Sequence, residues 1–171
     1  MRIPKVAWIL ALWLLIVVLF FSFQTWLDST SKEIWVKPVP VDPRDIFRGE
    51  YVQLRYDFSV FYANLLHQNE VKPKKVSDIY AVLIEKNGLY VLSYFTLQKP
   101  SSDLVFLKGT LIGRYSEDSL FEGATIRYNI ESWFVPEGQG PELEKNIGGK
   151  LKAKLRINPW GWARIVEVSI E

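Results

Sequence analysis

Chemistry needs nucleophiles, acid–base pairs or metal ligands, and this 171-residue chain is sparing with all three. It has no cysteine and a single histidine, His67. Thiolate metal sites, disulfide scaffolds and cysteine nucleophiles are therefore excluded, as is any Ser-His-Asp triad that leaves His67 out. A lone histidine beside Leu66 is the ordinary surface residue of a helix rather than a base. Carboxylates are the remaining resource: Asp42, Asp45, Glu50, Glu131 and Glu137 fall in two dense polar segments. Two of them straddling a bond would make a carboxylate-based hydrolase of an envelope polymer, one acting as acid and one as base. The plainer reading has Asp42 and Asp45 capping a turn, Glu131 paired with Arg127 on an outer strand face, and Glu137 solvated. Calcium would take the same oxygens, but no Asp-x-Asp-x-Asp-Gly spacing occurs. Neither a metal nor a cofactor is expected.

The elements that must position these side chains begin with an apolar run. Every residue of 6–21 is apolar, Phe23 resumes the run after Ser22, and Asp28 ends it. About 20 apolar residues at about 1.5 Å each cross a hydrocarbon core of roughly 30 Å. Trp8 and Trp26 lie near the two ends, where indole rings prefer the headgroup level. A cleaved signal peptide would be shorter and would end in a small-x-small site, which Phe21-Ser22-Phe23-Gln24-Thr25 lacks. Residues 1–27 are thus expected to be a short tail and an uncleaved anchor, followed by a membrane-proximal linker over 28–35. Arg2 and Lys5 precede the span, and Asp28, Lys32 and Glu33 follow it, so the positive-inside rule keeps the N-terminus in the cytoplasm.

Past the anchor, the pattern changes to alternation with period two, the mark of half-buried strands. Val52, Leu54, Tyr56, Phe58 and Val60 share one expected face; Ile126, Tyr128, Ile130, Ser132 and Phe134 share another. Leu151, Ala153, Leu155 and Ile157 alternate with a cationic stripe of Lys150, Lys152, Lys154 and Arg156. That stripe reads as an edge strand guarded by lysines, or as a row facing anionic headgroups or an acidic partner. Residues 79–84, 89–97 and 104–112 read as further strands. Asn87-Gly88 signals a hairpin, and Asn158-Pro159-Trp160-Gly161 a final turn. Only residues 61–70 look helical. The expected fold is mainly β: one transmembrane helix, then an antiparallel sandwich or partly open barrel with one short helix over 36–171. Trp35, Trp160 and Trp162 read as core, whereas alternation turns Trp133 outward as a docking anchor. Lys and Arg total 21 against 19 Asp and Glu, and the body without Arg2 and Lys5 is neutral. A neutral body lacks the basic field that nucleic-acid binding requires.

Two segments carry a family resemblance. The first reads Gly49-Glu50-Tyr51-Val52-Gln53-Leu54-Arg55-Tyr56 after the lead-in Val41-Asp42-Pro43-Arg44-Asp45. The second runs over 128–144, a strand that breaks at Pro136 and enters a glycine loop. Together with Phe106-Leu107-Lys108-Gly109, they resemble a family of membrane-anchored proteins named for a GDYXXLXY motif, over roughly 36–171. Glu50 stands where the motif's name has Asp. The resemblance implies an anchored, exported domain, often encoded beside or fused to multi-pass membrane proteins. The Gly-Glu-Tyr strand also looks like that of signal peptidases, which place a serine about eight positions before the glycine to act as nucleophile. Here Pro40-Val41-Asp42-Pro43 offers no hydroxyl or thiol, which argues against proteolysis.

The expectation is therefore a single-pass protein of a bacterial cell membrane with its C-terminal domain on the exported side. It would act as an accessory, assembly or interaction subunit for an envelope or multi-pass membrane protein. Arg44, Arg48, Glu50, Tyr51, Glu131, Trp133 and Glu137 are the expected binding surface. A carboxylate hydrolase and a small-molecule or lipid-binding barrel are the alternatives.

Overall fold

The computed structural model describes residues 5–39, 51–67, 77–112, 124–134 and 149–170. The chain divides into two compact units, Met1–Ser31 and Lys32–Glu171. The first is a single helix, α1 (Lys5–Thr30), whose stretch Val6–Thr30 is long and apolar enough to cross a membrane. Its large apolar side chains stand exposed around the whole circumference, which suits a hydrocarbon surround and not a soluble core. The helix closes its own C-terminus with hydroxyls. Ser29 Oγ and Thr30 Oγ1 donate to the Trp26 carbonyl at 2.8 and 2.9 Å, and Ser31 Oγ donates to the Leu27 carbonyl at 2.7 Å. These bonds satisfy carbonyls that would otherwise lack partners at a helix end.

The second unit is antiparallel β. Strands β1 (Lys32–Val36), β8 (Leu151–Ile157) and β9 (Ala163–Ile170) form one sheet in the order β1-β8-β9. Strands β3 (Ser77–Lys86), β4 (Leu89–Thr96), β5 (Val105–Ile112) and β6 (Thr125–Arg127) form a second, in the order β4-β3-β5-β6. The short strands β2 (Tyr51–Gln53) and β7 (Ser132–Phe134) pair with each other. All three sheets bury side chains in one core, with Tyr56, Phe58, Phe61, Phe95 and Tyr128 as its bulk. The expected mainly β fold with an N-terminal apolar helix is what the chain adopts.

Local chemistry explains most of the connections. Asn87 and Gly88 have φ of 54° and 78°, so both central residues of the β3–β4 turn are left-handed, as a type I′ hairpin requires. In the β8–β9 turn the Asn158 carboxamide oxygen accepts the N–H groups of Trp160 and Trp162, each at 3.0 Å. Gly161 then takes φ 88°, and a Cβ there would meet the Phe106 ring at 2.7 Å.

Several expectations are corrected. Lys32–Val36, expected in part as linker, is a strand that begins two residues past Thr30, the last residue of α1. The expected helix over 61–70 is a 3-10 turn at Ala63–Leu65, and residues 68–70 lie outside the described ones. The chain leaves that turn because Leu66 bridges Phe95 and the His67 N–H donates to the Phe95 carbonyl at 2.7 Å, so β4 takes the bonds a helix would use. The strand expected over 52–60 breaks at a second 3-10 turn, Asp57–Ser59, which buries Ser59 instead of exposing it. The cationic stripe is not on an edge, since β8 is paired on both sides. Trp160 and Trp162 are surface residues, 39% and 46% exposed.

Candidate functional site

The two motif segments meet at the β2–β7 ladder. Tyr51 opposes Phe134, Val52 opposes Trp133, and Gln53 opposes Ser132. One residue further on, the Leu54 N–H donates to the Glu131 carbonyl at 2.8 Å. Within the motif, Leu54 and Tyr56 point inward, 2% and 0% exposed, while Gln53 and Arg55 face solvent. Leu54 and the last tyrosine of the motif are core residues.

Beneath this ladder lies a cluster of phenols and carboxylates. The Tyr56 hydroxyl donates to the Ile130 carbonyl at 3.2 Å, and the Tyr128 hydroxyl donates to the Phe58 carbonyl at 2.9 Å. Tyr56 stacks on Phe58 at 4.9 Å between centroids, and Phe58 meets Tyr128 edge-on at 5.4 Å. Burial, reinforced by the nearby Glu131 charge, pushes both phenols well above the ordinary tyrosine value. They are neutral donors, not bases or nucleophiles, at physiological pH. Glu131 turns its carboxylate to the Tyr128 backbone N–H at 2.5 Å. Partial burial raises Asp57, although backbone N–H groups, including that of Phe58 at 2.8 Å, hold it down. Each group is committed to the backbone, so the cluster fixes a loop and presents no acid–base pair.

Above the cluster is an open concavity of about 560 Å³, lined by Thr125, Ile126, Arg127, Asn129, Glu131 and Ser132. It joins a cation, an anion, an amide and two hydroxyls, which suits polar recognition. No group of three or more His, Asp or Glu side chains placed to hold a metal occurs among the described residues.

Asn129 organises this site. Its φ of 62° falls in the break between β6 and β7, and the alternation, intact through Ile130, slips by one residue between Ile130 and Ser132. Ile126, Tyr128 and Ile130 are buried as expected, but Ser132 and Phe134 are then exposed, and Trp133 packs partly buried against the core. Trp133, expected to face outward, is half-buried, and the exposed aromatic of β7 is Phe134, 54% exposed. Asparagine is the non-glycine residue that best tolerates left-handed backbone, and that was the signal available in the sequence.

A model of the GDYXXLXY protein family matches residues 13–168. The chain belongs to the GDYXXLXY family. No curated protein and no solved structure matches it. Of the expected surface, Trp133 lies on β7 with Glu131 just before that strand, and Tyr51 is placed by its backbone on β2. Arg44, Arg48, Glu50 and Glu137 lie outside the described residues. The GDYXXLXY chain therefore brings its two characteristic segments together through β2 and β7.

Proposed function

We propose that this GDYXXLXY protein is a single-pass membrane protein whose exported β domain is an accessory or interaction subunit for an envelope protein. The observation that carries the reading is the β2–β7 ladder, which sets the motif strand against the strand leading to Phe134. Paired polar segments with an exposed aromatic beside a charged concavity have the composition of a docking surface. Glu131, Trp133 and Phe134 would be its described part, with Tyr51 alongside and Arg44, Arg48, Glu50 and Glu137 completing it. The candidate span supports membrane attachment. Arg2 and Lys5 ahead of it support a cytoplasmic N-terminus in a bacterial membrane. A core filled by Tyr56, Phe58, Phe61, Phe95 and Tyr128 favours this reading over a hollow carrier barrel.

A photo-crosslinking residue at Phe134 in the full-length protein tests the surface in intact cells. A discrete adduct of defined mass, weakened by Glu131→Ala, is expected, with no adduct from the same probe at Lys150. Equal or absent adducts at both positions would remove the assignment.

A further inference from the structure

A second surface lies where the chain enters the β domain. Lys32, the first residue of β1, pairs with Ile157, the last of β8, and Ile157 also pairs with Ala163 of β9. The β8–β9 turn that carries Trp160 and Trp162 is therefore at the end of the sheet that receives the chain from α1. Only Ser31 separates that strand from the helix. Chain connectivity alone keeps Lys32 within about 7 Å of the helix end. The headgroup layer is itself roughly 5–8 Å deep on each side of a bilayer.

The side chains at this end match that layer. Trp160 and Trp162 are 39% and 46% exposed, and Leu104, next to the loop whose Ser102 and Asp103 carbonyls accept from Lys32 Nζ, is 41% exposed. The Lys108 ammonium sits 5.3 Å from the Trp162 ring centroid and 2.7 Å from the Asp78 carboxylate. The Lys108–Asp78 pair is itself close to neutral.

The turn is rigid. The Asn158 side chain holds both tryptophan N–H groups, the Gly161 carbonyl accepts the Lys108 N–H at 2.8 Å, and Gly161 is pressed on Phe106. Two large rings held outward by backbone bonds lose little entropy on contact. Indole rings favour the water–hydrocarbon boundary because one part of the ring is apolar and the other donates a hydrogen bond.

We propose that the β8–β9 turn is a second membrane contact, with Trp160 and Trp162 seated in the lipid headgroup layer. It rests on α1 spanning the membrane, which resistance of the bound protein to alkaline carbonate tests separately.

Because the chain has no cysteine, single nitroxide labels are unambiguous. Full-length Trp160→Cys, Trp162→Cys and Lys150→Cys are labelled and reconstituted in phosphatidylcholine vesicles. Lys150 lies seven residues along β8 from Ile157, about 23 Å at about 3.3 Å per residue. Labels at 160 and 162 should relax more with oxygen than with a water-soluble nickel chelate, and the label at 150 should do the reverse. Equal chelate accessibility at all three positions would overturn the proposal, as would shielding of 160 and 162 from both reagents. A second measurement keeps a ring at each site. Lipids brominated near the headgroup should quench native tryptophan emission more than that of the Trp160→Phe, Trp162→Phe double variant. Equal quenched fractions would overturn the proposal as well.

Discussion

At the scale of single residues, the polar side chains of the two segments divide into those that hold the fold and those that face solvent. Tyr56 and Tyr128 belong to the first group. Replacing Tyr128 by Phe strands the Phe58 carbonyl in a dry site, so a loss of about 1–3 kcal/mol is expected in urea unfolding in detergent micelles. The same phenols set an alkaline limit. Their values in the fold lie above the unfolded 10.0, so the unfolded chain releases protons first. Stability is then full below pH 10 and declines as pH rises above it. A Tyr56→Phe, Tyr128→Phe double variant should show a shallower decline between pH 10 and 11 than the native chain, and an identical slope would contradict the assignment. Gly109 is a residue of a different sort. A Cβ there would run into the Ile126 side chain and come within 2.7 Å of the Tyr128 ring, so Gly109→Ala should cost about 1–3 kcal/mol by overpacking. Burial of Leu54, Tyr56, Ile126 and Tyr128 was legible from alternation alone. The hydrogen bonds of Glu131 and Asn158 were not, because a side chain that turns back to its own backbone leaves no periodic trace.

At the scale of elements, sequence reading succeeded where local chemistry decides and failed where a neighbouring strand competes. Asn87-Gly88 specifies its turn by itself, and the hairpin follows. Residues 61–70 have a helical pattern, yet the edge of β4 offers the Leu66–His67 backbone partners that a short isolated helix cannot match. The cationic stripe of β8 reads as an edge in sequence because its compensation comes from a strand far away in the chain. Glu33 of β1 takes Lys154 on one oxygen at 2.7 Å and Arg156 on the other at 2.6 Å, which lets a central strand carry those charges. The Lys154 and Arg156 bonds hold Glu33 below its ordinary 4.5. A lowered carboxylate stabilises the fold above the unfolded value and ceases to as pH falls through the folded one. Glu33→Gln should therefore flatten the acid branch below pH 4.5, most clearly at low salt, because exposed pairs are screened. An unchanged acid branch would mean that β1 and β8 are held by their ladder alone.

At the scale of the whole molecule, one helix with no buried face is joined by a single residue to a β domain with a complete core. Continuous apolarity and period-two alternation are different physical demands, and that contrast is visible in the sequence. What it left open was how the sheets share the core, since the pairing of β1 with β8 and β9 spans almost the entire domain. That division makes orientation a separable question. Arg2 and Lys5 lie directly ahead of the span, whereas Lys32 is the first cation after it. Orientation is governed chiefly by Lys and Arg near the span, with acidic residues contributing little. A periplasm-active phosphatase fused after residue 171 should be active on the native chain, and a cytoplasm-active reporter at the same place should be silent. Arg2→Ala with Lys5→Ala removes that bias, so phosphatase activity per fusion molecule should fall while the cytoplasmic reporter gains. The β domain is untouched by either change, which separates lost orientation from lost folding. A fusion active only in the cytoplasm from the start would place both the β2–β7 surface and the Trp160–Trp162 turn on the inner side, where their partners would have to be sought.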